Sequence, residues 1–337
     1  MLDVGQGDAT VIVPPEGEGL PVVFDCRDDY VVHKFLAHWG YLELESVIVS
    51  HLDWDHIAGV RQLLEREDLE IRQVYLHVDR DIQDTHPHAV EAKALIDCAN
   101  AGDRERKWTV FQATVQAHPV SAGKDWSIEI VAPRHRQFTE LAREGRWKDP
   151  NVLSVVLRVR MGTNTVLIGG DAPLVTWAEI RDRNARVFRI PHHGGALSDG
   201  GIPKGWSAER LYQEVGPDVA VVSVGTNNQP KHPSPEWIGP ACKRSRIMCT
   251  QVTPHCQRDV VENADAYRSD VLRKASLVEA DWWHLHDRYG SGGKQQGVPC
   301  AGSVVVTLYP GQMRVLPVTQ KHELVLGLWD HRLCDRD

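Results

Sequence analysis

The chain has 337 residues, 42% hydrophobic and 25% charged, enough apolar content to bury a large core as one big domain or a domain with an extension. No apolar run approaches the ~20 residues of a membrane span, and the start Met1-Leu2-Asp3-Val4-Gly5 lacks the basic and apolar segments of a secretion signal, so the chain reads as cytoplasmic, with no membrane partner. The formal net charge of −8 excludes indiscriminate coating of nucleic acid, although a local basic groove stays open because phosphate contacts depend on where Lys and Arg lie.

In chain order, Ala9 to Val13 predicts a strand, Pro14 to Leu20 a turn rich in Pro and Gly, and Pro21 to Asp25 a returning strand. Tyr30 to Trp39 has helical spacing, Ser46 to Ser50 reads as a strand, His56 to Glu67 as a helix, Gln73 to Val78 as a strand and His88 to Ala101 as a helix. A strand at Trp126 to Ala132 and a short helix at Gln137 to Gly145 precede two successive strands, Val152 to Arg160 and Thr165 to Ile168. Pro173 to Asp182 follows as a helix, then strands at Val187 to Pro191 and Asp218 to Val224, a helix at Ser234 to Ser245 and a strand at Ile247 to Val252. Strand pairs mixed with helices indicate two sheets inside helices, an α/β layered arrangement.

Each polar cluster falls at the end of a predicted strand: Asp25, His51 to His56, Asp171, His192-His193 and His232. A lone strand-end Asp is usually a helix cap and a lone His a satisfied core residue. The run His51-Leu52-Asp53-Trp54-Asp55-His56 is different, because it packs four metal-binding side chains into six positions and two histidines there serve no capping purpose.

Leu2 to Ala9, Asp25, the HxDxDH run, Gly170-Asp171, His192-His193-Gly194 and Ser223 to Pro233 together resemble the metallo-β-lactamase fold, most closely the hydrolase domain of ComEC-type competence proteins. The resemblance covers roughly residues 1–250. It implies an αββα four-layer sandwich with a two-metal site, followed by a C-terminal extension. Residues 1–252 would form the hydrolase domain and 253–337 a Cys/His-containing insertion and hairpin packed on it. By position, His51 and Asp53 would hold one divalent ion, Asp55 and His56 the other, and Asp171 would bridge them. His192 or His193 would complete the second site. A His-His pair at a strand end points one ring inward and one outward, so one ligand and one outer contact are expected. Asp25 would orient a ligand histidine, and Asp8 could do likewise. Two departures stand out: Asp53 replaces the usual His, and Asp149 to Ser154, with Asn151 and Ser154, stands where a further His is usual. His118 and His135 fall in that interval without a convincing strand end. Carboxylate for imidazole hardens the site and shifts the balance from Zn²⁺ toward Mn²⁺.

Two metals ~3.5–4 Å apart supply a bridging hydroxide at neutral pH and clamp the oxygens of an in-line displacement, which favours phosphodiester hydrolysis. Asp55, His232 and Asp25 are the candidate catalytic residues, His232 to give a proton to the leaving oxygen or hydrogen-bond a phosphate, with a turn histidine packed on Pro233 as the plain alternative. The reading is a metal-dependent nuclease with nucleic acid as substrate. The alternatives are a hydrolase of a small phosphodiester, such as a cyclic nucleotide or phosphocholine ester, and a regulatory module that keeps metal for structure. Chains of this fold also act as effectors in bacterial anti-phage systems, which implies a regulatory protein partner. Candidate substrate contacts are Lys204, Lys231, Arg158 and Arg160, Lys243 to Arg246, and the tryptophans Trp54, Trp206 and Trp282-Trp283. Among the seven cysteines, Cys249, Cys256 and Cys300, with Cys242 or His255, could build an additional structural zinc site, although buried thiols are the commoner outcome for such loose spacing.

Overall fold

The computed structural model describes residues 1–77, 88–143, 150–228, 231–275 and 296–332. Its first sheet runs in chain order through β1 (Ala9–Ile12), β2 (Val22–Cys26), β3 (Glu43–Ile48), β4 (Glu70–Leu76) and β5 (Thr109–Gln112). Only β1 is antiparallel to its neighbour; β2 to β5 are parallel. The second sheet runs from edge to edge as β12 (Arg246–Cys249), β11 (Val219–Val222), β10 (Val187–Arg189), β9 (Asn164–Ile168), β8 (Val156–Met161), β7 (Trp126–Ala132) and β6 (Ser121–Ala122). In it β9 to β12 are parallel, so their C-terminal ends share one edge.

Side-chain alternation along the strands builds three apolar layers. In β2, Val22 and Phe24 face the second sheet and meet Ile48, Ile128, Leu157, Ile168 and Val221 in a core between the sheets. Val23 and Cys26 face the other way. There they pack with Val47 and Val74 against α1 (Asp29–His38), α2 (Trp54–Ile57), α3 (Val60–Leu64) and α4 (Ala89–Arg104) through Leu36, Ile57, Leu63 and Leu95. The outer face of the second sheet, through Leu167, Phe188, Ala220 and Ile247, packs on Trp177, Leu211, Tyr212 and Trp237. Those four come from α6 (Leu174–Ala178), α7 (Ala208–Val215) and α8 (Pro235–Cys242); α5 (His135–Arg143) precedes them in the chain. The result is an αββα sandwich of four layers.

Several expectations change on contact with the structure. The helix expected from His56 to Glu67 is two short helices, α2 and α3, because Gly59 donates its N–H to the Cys26 carbonyl at 2.8 Å and a Cβ there would lie 2.4 Å from the Asp29 nitrogen. The strand expected from Val152 opens with a 3-10 turn, Pro150–Leu153, and β8 starts at Val156. The short strands β5 and β6 and helix α7, capped by Ser207 and ended by Gly216 at φ 61°, had no expected counterpart.

After residue 252 the chain adds α9 (Ala264–Ala275), the hairpin β13 (Val305–Tyr309) and β14 (Gln312–Leu316), and α10 (Thr319–Leu326). Cys256, Val260, Val271, Val298, Val325 and Trp329 join the outer core of the second sheet, so this segment shares a core with the preceding residues. Among the described residues, no helix is long and apolar enough to cross a membrane.

Candidate metal centre

Both sheets deliver polar residues to one edge of the sandwich, at the C-terminal ends of their parallel strands, where open α/β sheets place their ligands. From the first sheet come Asp25 near the end of β2 and His51, Asp53, Asp55 and His56 after β3. From the second come Asp171 after β9, His192 and His193 after β10, and His232 in the loop beyond β11. Asp8 enters from the turn before β1, tied by its N–H to the Asp55 carbonyl at 2.9 Å. Gly7 must be glycine here: φ is +136°, and a Cβ would lie 2.4 Å from the Asp55 carbonyl oxygen.

Asp171 lies at the middle of the group. Its Oδ1 is 3.1 Å from His56 Nε2 and 3.8 Å from His193 Nε2, while its Oδ2 is 3.8 Å from both His51 Nε2 and His192 Nε2. Asp53 Oδ2 lies 3.3 Å from His51 Nε2, and Asp55 Oδ2 lies 3.2 Å from His193 Nε2. One carboxylate thus faces two donor groups, one on each oxygen.

All four imidazoles have Nδ1 engaged by an oxygen on the side away from Asp171. His56 Nδ1 donates to Asp25 Oδ2 at 2.8 Å, His193 Nδ1 to the Ser223 carbonyl at 2.7 Å and His192 Nδ1 to the Ala196 carbonyl at 2.8 Å. His51 Nδ1 is 3.0 Å from the Ser50 hydroxyl. Fixing Nδ1 leaves the Nε2 lone pair for a cation, the usual arrangement around a ligating histidine. Asp25 is itself fixed, accepting the Ser50 N–H at 2.7 Å.

Three observations fit a divalent metal to these residues. His51 Nε2, His56 Nε2, His193 Nε2 and Asp171 Oδ1 are buried atoms that no aligned hydrogen bond satisfies, a costly state unless a cation meets them. Asp8, His56, Asp171 and His193 bring ligand atoms within 4.8 Å of one another. The charges also ask for one. Burial works against charging the His56 ring, yet Asp171 and Asp25 on its two sides raise its pKa well above the ordinary value. Burial likewise opposes ionising Asp171 and Asp55, but the histidines win: Asp171 is held well below the usual carboxylate range and Asp55 at about 2.

Arg189, on β10, is a residue the sequence did not single out. It is 1% exposed and forms an ion pair with the equally buried Asp8. Asp8 lies 3.6 Å from the Nδ1 atoms of His56 and His193, behind the rings, so its carboxylate is placed to balance charge. Desolvation lowers the Arg189 pKa to about 9, which still leaves it charged at neutral pH.

The His-His pair departs from the strand-end expectation. Both residues lie in a 3-10 turn with left-handed backbones, φ 53° and 51°, as does Asp25 at 55°. His193 is fully buried, whereas the His192 side chain is 24% exposed. Glycines 194 and 195 bring the His232 loop against this turn: a Cβ on Gly194 would lie 2.5 Å from Pro233 and one on Gly195 2.6 Å from the His232 ring. His232 stacks 6.5 Å from His193, and burial, with the neighbouring His193 and His192, lowers its pKa to about 4. The ring is therefore neutral at pH 7, with one nitrogen a donor and the other an acceptor.

Two facing sheets between helices, with HxDxDH, Asp and His-His turns meeting around one bridging carboxylate, decide the architecture. This is a metallo-β-lactamase fold. No known family profile matches the chain. It is similar to ComE operon protein 3 of Bacillus subtilis, 23% identical over 259 residues, and to Recombination protein 2 of Haemophilus influenzae, 28% identical over 250 residues. Each match covers 69% of this chain but only 29% and 25% of those proteins, so the chain spans little more than a quarter of their length. The uncharacterized protein YcaI of Escherichia coli is 25% identical over 303 residues, 84% of this chain and 32% of that protein. Among solved structures, the metallo-β-lactamase fold protein YhfI from Bacillus subtilis aligns with a TM-score of 0.41 and 16% identity, over 73% of this chain and 93% of its own. Human tRNase Z, short form, aligns with a TM-score of 0.38 and 12% identity, over 66% and 90%.

Within this metallo-β-lactamase fold, the segment lacking the usual His acts through hydrogen bonds. Ser154 Oγ accepts the Asp171 N–H at 3.2 Å, and Asn151 Nδ2 donates to Asp199 at 2.7 Å. His118 and His135 are exposed. The alternative of a thiolate zinc site at Cys249, Cys256 and Cys300 finds no support: among the described residues no cysteine joins a group able to hold a metal. The three thiols are buried in the apolar core instead, and Cys300 Sγ lies 3.4 Å from His322 Nε2. His255 Nε2 is spent on the Lys231 carbonyl at 2.8 Å. Arg158 and Arg160 bond Asp182, and Trp206 is stacked by Arg183 and Arg210 at 4.8 and 4.7 Å. Lys204, Lys231, Lys243 and Arg244 are exposed, Arg246 donates to the Pro317 carbonyl at 2.6 Å, and Trp282-Trp283 lie outside the described residues.

Proposed function

We propose that this chain is a metal-dependent phosphodiester hydrolase acting on nucleic acid. The observation that carries the proposal is Asp171, whose two oxygens each face a separate set of imidazoles, the geometry a carboxylate needs to join two cations. His51 and Asp53, with His192 beside the same Asp171 oxygen, would hold one ion. Asp55, His56 and His193 would hold the other. Mixed imidazole and carboxylate donors suit Zn²⁺ or Mn²⁺. Bound there, such ions supply Lewis acidity and a nucleophile at neutral pH.

The chain's own residues do the positioning. Asp25 fixes the His56 ring, the Ser223 carbonyl fixes His193, and Arg189 with Asp8 balances charge behind both. Asp53 and Asp55 keep 23% and 31% of their side chains exposed, so the donor set opens to solvent and a large substrate can reach it. His232, neutral at pH 7, can accept a proton or donate its single N–H at the rim. The name of Recombination protein 2 supports DNA as the polymer.

The test is cleavage of single- and double-stranded DNA by the purified chain with Mn²⁺ or Zn²⁺, beside Asp55→Ala. Metal-dependent cutting that the variant loses supports the proposal. Intact DNA alongside hydrolysis of a small chromogenic phosphodiester by wild type alone would move the small-substrate reading to first place.

A further inference from the structure

Trp54 stands between the two carboxylates of the metal motif, yet it is 40% exposed while His51, Leu52, His56 and Ile57 around it are buried. A single exposed tryptophan is unremarkable on a protein surface. This one has a fixed neighbour. The Arg27 guanidinium lies 5.5 Å from the centre of its ring, within the range of a cation–π contact.

Arg27 follows the Asp25 turn at the end of β2, and its N–H donates to the Asp8 carbonyl at 2.9 Å. Its stem is wedged against Gly7, where a Cβ would lie 2.6 Å from Arg27 Cγ. Its Nε is buried and has no hydrogen-bond partner. That enclosed atom is not the contact: the half-buried guanidinium, with Asp55 and Asp28 as its charged neighbours, stands at the mouth of the site, and it is the exposed edge of such a group that pairs with a phosphate oxygen.

We propose that Arg27 and Trp54 form the substrate rim, Arg27 holding a phosphate beside the reacting one and Trp54 stacking the base of that same nucleotide, so that the site takes unpaired nucleic acid. The inference rests on the phosphodiesterase reading and deepens it. Trp54 is one residue from a donor on either side, so a base on its indole belongs to a nucleotide next to the reacting phosphate. In a duplex that base is stacked between its neighbours and paired. Flipping it out costs unstacking and unpairing, so the indole favours a base from a single strand or a frayed end.

The experiment is fluorescence anisotropy with a labelled single-stranded 12-mer, the same 12-mer built from abasic nucleotides, and a blunt duplex, each titrated with full-length wild type, Trp54→Ala, Trp54→Phe and Arg27→Ala in chelator so that nothing is cut. Base–aromatic stacking predicts that Trp54→Ala weakens the normal single strand by about tenfold, that Trp54→Phe restores most of the loss, and that the abasic strand binds wild type and Trp54→Ala alike. Arg27→Ala weakens normal and abasic strands equally and reduces the salt slope by about one phosphate contact. Equal losses on normal and abasic strands in Trp54→Ala, or a duplex bound as tightly as the single strand, overturn the inference. Hydrolysis of bis(p-nitrophenyl) phosphate by wild type with Mn²⁺ separates the two failures. Turnover without base-dependent binding sinks only the rim, and base-dependent binding without turnover on any phosphodiester sinks only the hydrolase.

Discussion

Replacing Arg189 by Met is the sharpest test of how the site is supported. Both partners of the Arg189–Asp8 pair are 1% exposed, and Met fills much of the guanidinium stem's volume, so the change removes a charge with little cavity. A buried ion left without its partner costs about 3–5 kcal/mol. Asp8 has an escape, which is to take up a proton. That costs about 1.36 kcal/mol for each pH unit above a normal carboxylate value near 3.9, capping the loss at about 4 kcal/mol at pH 7 and about 1.5 kcal/mol at pH 5. Urea unfolding of the metal-free protein at the two pH values measures both. With a slope of about 3 kcal/mol per M, the midpoint falls by roughly 1.3 M at pH 7 and 0.5 M at pH 5. Adding Asp8→Asn removes the stranded charge and recovers most of the loss. An Arg189→Met protein within about 1 kcal/mol of wild type at pH 7, a loss independent of pH, or no recovery in the double variant refutes the reasoning.

Three further outcomes are expected. Asp25→Asn removes the carboxylate from His56 Nδ1 and should lower metal affinity 10–100-fold in chelator competition; unchanged affinity would remove Asp25 from the support of the site. Gly195→Ala drives a Cβ to 2.6 Å from the His232 ring and should cut turnover roughly tenfold at nearly unchanged metal content, read as kcat on a model phosphodiester. His77 donates Nε2–H to the Leu153 carbonyl and accepts from Gln112, and burial lowers its pKa to about 4. Its folded pKa is below the unfolded value near 6.5, so the stability it contributes is present above pH 6.5 and is lost as pH falls toward 4, by up to about 3 kcal/mol. Urea midpoints should therefore fall more steeply with acid in wild type than in His77→Gln, and parallel curves would contradict the shift.

What the sequence disclosed depended on locality. The HxDxDH run, Asp171 and the His-His pair were legible because donors cluster at the ends of apolar runs. The layered fold was legible from alternating strands and helical spacing. Arg189 was not, since an Arg inside Val187–Arg189 reads as an outward strand residue and its partner Asp8 is remote in the chain. The directions of the His192 and His193 rings were likewise hidden, because the rule of alternating faces presumes extended backbone and both residues are left-handed. The break at Gly59 answers to the Cys26 carbonyl and the Asp29 backbone, neither of which any local pattern reveals. The cysteines were ambiguous for another reason: their loose spacing allowed ligands or buried thiols, and only their apolar surroundings separate the two.

Because each sheet supplies only part of the donor set, no half of the chain carries a working centre. During synthesis at about 5–20 residues per second, His51 to His56 would leave the ribosome roughly 7 to 28 s before His193. A prematurely terminated product, or one clipped between the sheets, would hold scattered carboxylates and imidazoles without their shared partner. A cell making such a chain would therefore hold a complete donor set only in closed molecules, with assembly itself acting as the safety catch.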